Sequence, residues 1–236
     1  MSAAAGAALD DATESAPLPA ALLFDMDGLL VDTERTWFVV ESEAMAALGA
    51  PWGEEHQAAL VGGPLERTVD YMLAHADRPD VSREQLAQTL LDGMVHHLRT
   101  GPVEWRPGAA DLLSAAAAAG VPCALVSSSL RPVVDAVLDA VGRDRFTATV
   151  AGDEVPTTKP APDPYQRAAE LLGLPPSDCV ALEDSATGAT SAVAAGCVTV
   201  VVPSIAAVPA ELGDLQVASL ADLDLHALGR LVTAGA

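Results

Sequence analysis

Asp25-Met26-Asp27-Gly28 holds the residues best suited to chemistry in this chain. The pair follows the apolar run Ala20-Ala21-Leu22-Leu23-Phe24 and precedes Leu29-Leu30-Val31-Asp32-Thr33-Glu34. Carboxylates are costly to bury unless they are paired or bind metal. They are well placed at the carboxyl end of a parallel strand, where open α/β sheets bind ligands. There Asp25 suits a nucleophile and metal ligand, and Asp27 an acid/base. A bare D-x-D-G is also a common way to end a strand in an acidic turn, so the rest of the chain must decide.

Lys159 is the second signal. It is the single lysine of the chain, against eleven arginines, and lies in Thr157-Thr158-Lys159-Pro160-Ala161-Pro162-Asp163-Pro164-Tyr165. An ammonium is a compact cation that the planar fork of arginine does not replace. A lysine kept alone is a candidate for local charge neutralisation, set beside the plainer reading of a solvated loop cation.

These residues need a frame. Short apolar runs at 20–26, 121–127, 147–151, 178–183 and 196–202 read as strands. Helical patterns at 108–119, 131–141, 162–172 and 186–195 alternate with the later ones, which implies a parallel sheet with right-handed crossovers. Gly120, Gly142, Gly173 and Gly196 stand where those helices should stop. Residues 34–104 break the alternation, with helical segments near 34–48, 64–76 and 83–98 and no strand. The expected organisation is a disordered leader over 1–19, an α/β core over 20–33 and 105–236, and a helical cap over 34–104. A helical block inserted after the first strand would stand over its carboxyl end and exclude water from a site there.

The 236-residue chain has a formal net charge of −21, which argues against nucleic acid or anionic membrane as partner. No stretch approaches the roughly 20 apolar residues of a membrane span. The first residues lack the positive segment of a signal peptide. Cys123, Cys179 and Cys197 are odd in number, lack metal-like spacing and fall in apolar runs, as expected of reduced core residues in a cytoplasmic protein. The expected assembly is a monomer. The acidic, lysine-poor composition fits salt adaptation or a bias toward Ala, Arg and Gly, and the residues do not separate the two.

Three more segments fall at strand ends in this layout: Ser127-Ser128-Ser129, Lys159, and Glu183-Asp184 before Ser185-Ala186-Thr187-Gly188. Each alone reads as a helix cap, a loop cation or an acidic turn. Together they line one sheet edge with carboxylates, a hydroxyl and an ammonium. With Asp25-Met26-Asp27-Gly28 they resemble, in order and interval over about residues 20–204, the four motifs of the haloacid dehalogenase-like hydrolase superfamily. The chain is similar to the helical-cap branch that includes β-phosphoglucomutase and phosphoglycolate phosphatase. The resemblance implies a Rossmann-like core and an aspartyl-phosphate formed on Asp25. Asp27 would protonate the leaving oxygen and then activate water. Ser127 and Lys159 would hold and neutralise the phosphoryl group, with Ser128 beside them on the substrate. Mg2+ would be bound by Asp25, Asp184 and the backbone carbonyl of Asp27, with Glu183 as ligand or support. A hard cation prefers such oxygens, and no His or Cys cluster competes.

Within that superfamily, dehalogenases have no use for Asp27 or Glu183-Asp184. Phosphonate-hydrolysing relatives need a cap lysine, and 34–104 has none. β-Phosphoglucomutases carry a cap histidine where Trp37 stands and a cap arginine where Leu65 stands, with Arg67 two residues on. Gly62-Gly63-Pro64-Leu65-Glu66-Arg67-Thr68 looks more like the specificity loop of small-molecule phosphatases, and equally like a turn that starts a helix at Pro64. Gly62, Gly63, Leu65 and Arg67 are therefore candidate substrate contacts. Trp37 is read as cap core or, alternatively, as facing the substrate. The expected activity is a Mg-dependent phosphomonoester hydrolase acting on a small phosphorylated metabolite. The alternatives are a hexose-phosphate phosphomutase and a catalytically silent phosphate-binding regulatory protein.

Overall fold

A computed structural model describes residues 17–60 and 65–234. Gly62 and Gly63 and most of the expected leader lie outside the described residues. The core is a six-stranded, all-parallel sheet in the order β3-β2-β1-β4-β5-β6. Its strands are β1 (Ala21–Phe24), β2 (Cys123–Val126), β3 (Ala148–Val150), β4 (Cys179–Glu183), β5 (Val198–Val201) and β6 (Leu215–Gln216). The five expected strands are present with one to two residues trimmed at most ends. The two-residue β6 carries too little pattern to be read from the chain.

Successive residues of a strand face opposite sides, and the core divides accordingly. Leu22, Phe24, Leu125, Val180, Leu182 and Val200 join one apolar cluster. Ala21, Leu23, Ala124, Val126 and Ala181 join another. Helices α5 (Ala109–Ala119), α6 (Arg131–Val141) and α9 (Leu225–Ala234) cover the first face. Helices α7 (Asp163–Leu172) and α8 (Ala186–Ala195) cover the second. Gly120, Gly142, Gly173 and Gly196 close four of these helices, as expected.

Between β1 and α5 run α1 (Glu34–Leu48), α2 (Glu54–Ala58), α3 (Leu65–Ala76) and α4 (Arg83–Thr100). Ser82 and Gln85 form a capping box that starts α4. Helix α4 packs on α1 and α3 and rests on α6 of the core. The chain enters and leaves this block through paired segments: the Asp32 amide donates to the Glu104 carbonyl, and the Arg106 amide to that of Leu30. Val31 and Trp105 bridge antiparallel between them. The short α2 was not expected; it carries His56 into a ring cluster, stacked on Trp52 and tilted against Tyr71 and His75. Among the described residues no helix is long and apolar enough to cross a membrane.

Candidate active site at the carboxyl edge of the sheet

Strand β1 is central: the chain runs from it outward to β2 and β3 on one side, then crosses back to β4 and β5 on the other. That is the switch point at which open α/β sheets place ligands. Asp25 follows β1, Ser127 follows β2, Lys159 follows β3 by a loop, and Glu183-Asp184 straddles the end of β4. The backbone amide of Asp25 donates to Leu182 of β4, which ties the first carboxylate to the strand that delivers the last two. The chain then turns sharply: Gly28 has φ +84°, and a Cβ on it would overlap a carboxylate oxygen of Asp184. Both the left-handed backbone and the close approach require glycine there.

Lys159 is the centre of the cluster. Its ammonium donates to Asp25 Oδ1 at 2.5 Å, Glu183 Oε1 at 2.6 Å and the Val126 carbonyl at 3.0 Å. Its side chain is 4% exposed, Asp25 is 7% exposed and Glu183 fully buried. Burial by itself would lower the lysine pKa, but Asp25 and Glu183 outweigh it and hold the ammonium charged. Burial pushes the Asp25 carboxyl up, against the pull of Lys159. Asp184 is raised to about 7, first by burial and then by Glu183, while a 2.5 Å hydrogen bond from Ser204 Oγ opposes the shift.

Asp25, Glu183 and Asp184 each turn one oxygen into a common space in which these atoms lie within 4.8 Å of one another. Three carboxylates there face one ammonium. The excess negative charge and the all-oxygen donor set fit a hard divalent cation. The Asp27 carboxylate is not one of these oxygens. It accepts three hydroxyl hydrogen bonds instead: Thr33 Oγ1 on Oδ1 at 2.6 Å, and Ser127 Oγ at 3.0 Å and Ser129 Oγ at 2.9 Å on Oδ2.

The four core motifs therefore converge. The expected cap contacts stand differently. Leu65, at the start of α3, and Trp37 of α1 pack against the main apolar cluster. Arg67 donates to the Ala59 carbonyl at 2.8 Å and so spans the segment between α2 and α3. Ser128 is exposed, and its carbonyl backs onto Gly152. Its neighbour Ser129 reaches Asp27 instead. Reading the chain singled out neither Ser129 nor Thr33, Tyr165 or Ser204. Thr33 and Tyr165 stand inside the two acidic and lysine segments, yet nothing in their spacing says that their hydroxyls turn inward.

The profile of the family described as haloacid dehalogenase-like hydrolase matches residues 19–196. The chain belongs to the haloacid dehalogenase-like hydrolase family. Protein CbbY of Rhodobacter capsulatus is 37% identical over 193 residues, covering 78% of this chain and 85% of that protein. Hexitol phosphatase B of Escherichia coli K12 is 31% identical over 209 residues, covering 86% and 93%. CbbY from Rhodobacter sphaeroides, solved as a variant in complex with xylulose-(1,5)bisphosphate, superposes with a TM-score of 0.79 at 30% identity, over 87% of this chain and 96% of that one. Membership places the converged motifs in a family of hydrolases and accounts for the parallel sheet with its inserted helices.

Proposed function

We propose that this chain is a magnesium-dependent phosphomonoester hydrolase that works through an aspartyl-phosphate on Asp25. The observation that carries the reading is the Lys159–Asp25 pair, set beside Glu183 and Asp184 at the switch point of the sheet. Two relatives support the phosphoester class: a hexitol phosphatase, and a protein solved with a sugar bisphosphate. The proposed substrate is accordingly a small phosphorylated polyol or sugar. Residues 20–33 and 105–236 would form the catalytic core and 34–104 the cap. The three buried free cysteines support a reducing, cytoplasmic setting.

Each residue's part follows from its surroundings. Asp25 is bonded to the only lysine and, unlike the fully buried Glu183, is 7% exposed; it supplies the nucleophilic oxygen. Covalent catalysis divides one hard displacement into two in-line steps. Phosphoryl transfer demands positioning and charge stabilisation above all. Lys159 provides fixed positive charge at the attacking oxygen. Magnesium, held by Asp25, Asp184 and the Asp27 carbonyl with Glu183 in support, would neutralise further charge on the phosphoryl oxygens. Asp27 carries a proton to the leaving oxygen and, once deprotonated, takes one from water. Thr33, Ser127 and Ser129 hold its carboxylate in one orientation for both tasks. Ser127, fully buried and bonded to the Ser129 amide at 2.9 Å, is the fixed hydroxyl of the group. Ser128 and the segment from Gly62 to Arg67 are proposed to meet the rest of the substrate, with Trp37 and Leu65 shaping the apolar wall behind it.

The decisive experiment is phosphate release from a panel containing hexitol phosphates, xylulose bisphosphate, phosphoglycolate and β-glucose 1-phosphate. The expected result is magnesium-dependent release from at least one polyol or sugar ester, absent in Asp25→Asn. Conversion of β-glucose 1-phosphate to glucose 6-phosphate would assign the chain to the mutases. Phosphate binding without any turnover would assign it to silent binding proteins.

A further inference from the structure

Tyr165 lies in the first turn of α7, six residues beyond Lys159, and is fully buried. It packs with Leu23, Val126, Ala168 and Ala181 on the second face of the sheet. A phenylalanine would supply the same apolar contact. The hydroxyl is what needs explaining, because a buried phenol requires a partner. Its partner is a charged group of the site: Tyr165 Oη donates to Glu183 Oε1 at 2.5 Å. That same oxygen accepts the Lys159 ammonium at 2.6 Å. The ammonium also lies 5.0 Å from the centre of the Tyr165 ring, within the range of a cation–π contact.

We propose that Tyr165 is a positioning residue for the phosphoryl-transfer site: its hydroxyl fixes the Glu183 oxygen that it shares with Lys159 and thereby sets where the ammonium stands. The inference rests on the reading of Lys159 as the cation that serves Asp25. Among the described residues Glu183 Oε2 faces only weaker donors, the Asp184 amide at 3.2 Å and Ser185 Oγ at 3.4 Å. The short phenol bond is therefore the main restraint on the carboxylate's rotation apart from Lys159 itself. Without the hydroxyl, Glu183 Oε1 answers to the ammonium alone. The pair can then move together, lengthening the bond from Lys159 to Asp25. Burial keeps the phenol a neutral donor: its pKa is raised well above the usual tyrosine value by burial and by Glu183. Tyr165 touches no reacting atom, and its hydroxyl acts through Glu183.

The composition supplies the test. Because Lys159 is the only lysine, the full chain grown with isotopically labelled lysine gives one side-chain ammonium resonance, and that resonance reports the site directly. Tyr165→Phe should move it and speed exchange of its protons with water. In a Glu183→Gln background the same substitution should move it far less, because the shared carboxylate is gone. Tyr71→Phe, on the exposed face of α3, is the control that should leave it in place. Alongside, kcat of Tyr165→Phe should fall by about tenfold, the scale of one hydrogen bond to a charged group, with KM nearly unchanged. Should Tyr165→Phe not fold, 3-fluorotyrosine keeps the shape and alters only donor strength. It enters at two positions, Tyr71 and Tyr165, and should move the same resonance. An unmoved lysine resonance in folded Tyr165→Phe or in the fluorotyrosine protein, or an equal movement in the Glu183→Gln background, would overturn the proposal. A wild-type protein that releases no phosphate from any ester would instead sink the hydrolase reading, and the resonance would still decide the role of Tyr165.

Discussion

Gly188, in the first turn of α8, sits directly against the Glu183 carboxylate, so that a Cβ on it would overlap both carboxylate oxygens. Its amide also donates to Ser185 Oγ at 3.1 Å, which anchors the helix start to the same acidic segment. Gly188→Ala must therefore drive Glu183 toward Lys159 or lift α8. Helix propensity would favour alanine, so a stable but crippled protein is the expected outcome. A misplacement of about 1 Å at such a site costs on the order of 10²-fold in rate. Circular dichroism together with initial rates of phosphate release checks both halves.

Asp25→Asn should abolish turnover, because a neutral amide replaces the anionic nucleophile while the side chain keeps its shape. Asp27→Asn should slow it by about 10²–10⁴-fold, the usual value of general acid/base catalysis. Trapping with fluoroberyllate should succeed on wild type and fail on Asp25→Asn. Activity at the wild-type level in Asp25→Asn would contradict the mechanism.

Chelation of divalent metal should silence the enzyme and magnesium should restore it, since three carboxylates otherwise face the incoming phosphate with a single ammonium among them. Calcium should inhibit, because its larger and looser oxygen shell lets Asp25 bind in an unproductive geometry. Rates measured across a magnesium titration, with and without calcium, test this.

Glu41 gives a stability prediction. It is 5% exposed in α1, its one side-chain partner among the described residues is the Trp52 indole N–H at 3.1 Å, and burial lifts its pKa to about 7. The folded state thus holds the Glu41 proton over a range in which the unfolded chain has released it. Stability is favoured at low pH and lost as pH rises from the ordinary glutamate value near 4.5 through about 7. Glu41→Gln keeps an acceptor for Trp52 and removes the charge. At pH 8 it should stabilise the protein, by up to about 3 kcal/mol from the size of the shift. Below pH 5 the two proteins should converge. Urea denaturation at the two pH values measures the difference, and equal gains at both would show that burial of charge is not the cause.

Arg67 ties the start of α3 to Ala59, across the segment that holds Gly62 and Gly63. If that segment reads the leaving group, Arg67→Ala should change the relative kcat/KM among phosphorylated metabolites while p-nitrophenyl phosphate turnover changes little. Leu65→Arg should strengthen binding of bisphosphates. Equal losses on all substrates would assign the segment to folding or closure.

The candidate site's edge of the fold is legible in the chain because its elements announce themselves locally. Asp25, Lys159 and Glu183 each end or follow a short apolar run that reads as a strand. The helices of the core carry their own glycine stops. What escaped was whatever depends on distant partners. Ser129 meets Asp27 across 102 residues and Tyr165 meets Glu183 across 18; neither hydroxyl differs in sequence pattern from a helix cap or an apolar helix position. Helix α2 has five residues and β6 two, too short for periodicity to register. Trp37 and Leu65 were ambiguous for a different reason: an apolar side chain near a cleft reads the same whether it lines the wall or fills the packing behind it.

The burial of Lys159 reaches beyond catalysis. With its one ε-amine closed between two carboxylates, the folded described surface offers no lysine to any process that tags proteins at that group. The amine becomes reachable only when this edge of the sheet opens. Tagging or labelling at Lys159 therefore counts openings of this site, and where reclosing outpaces labelling the ratio of its rate to that of an exposed lysine gives the free energy of that opening. The protein carries its own gauge of local unfolding, set at the carboxyl edge of its sheet.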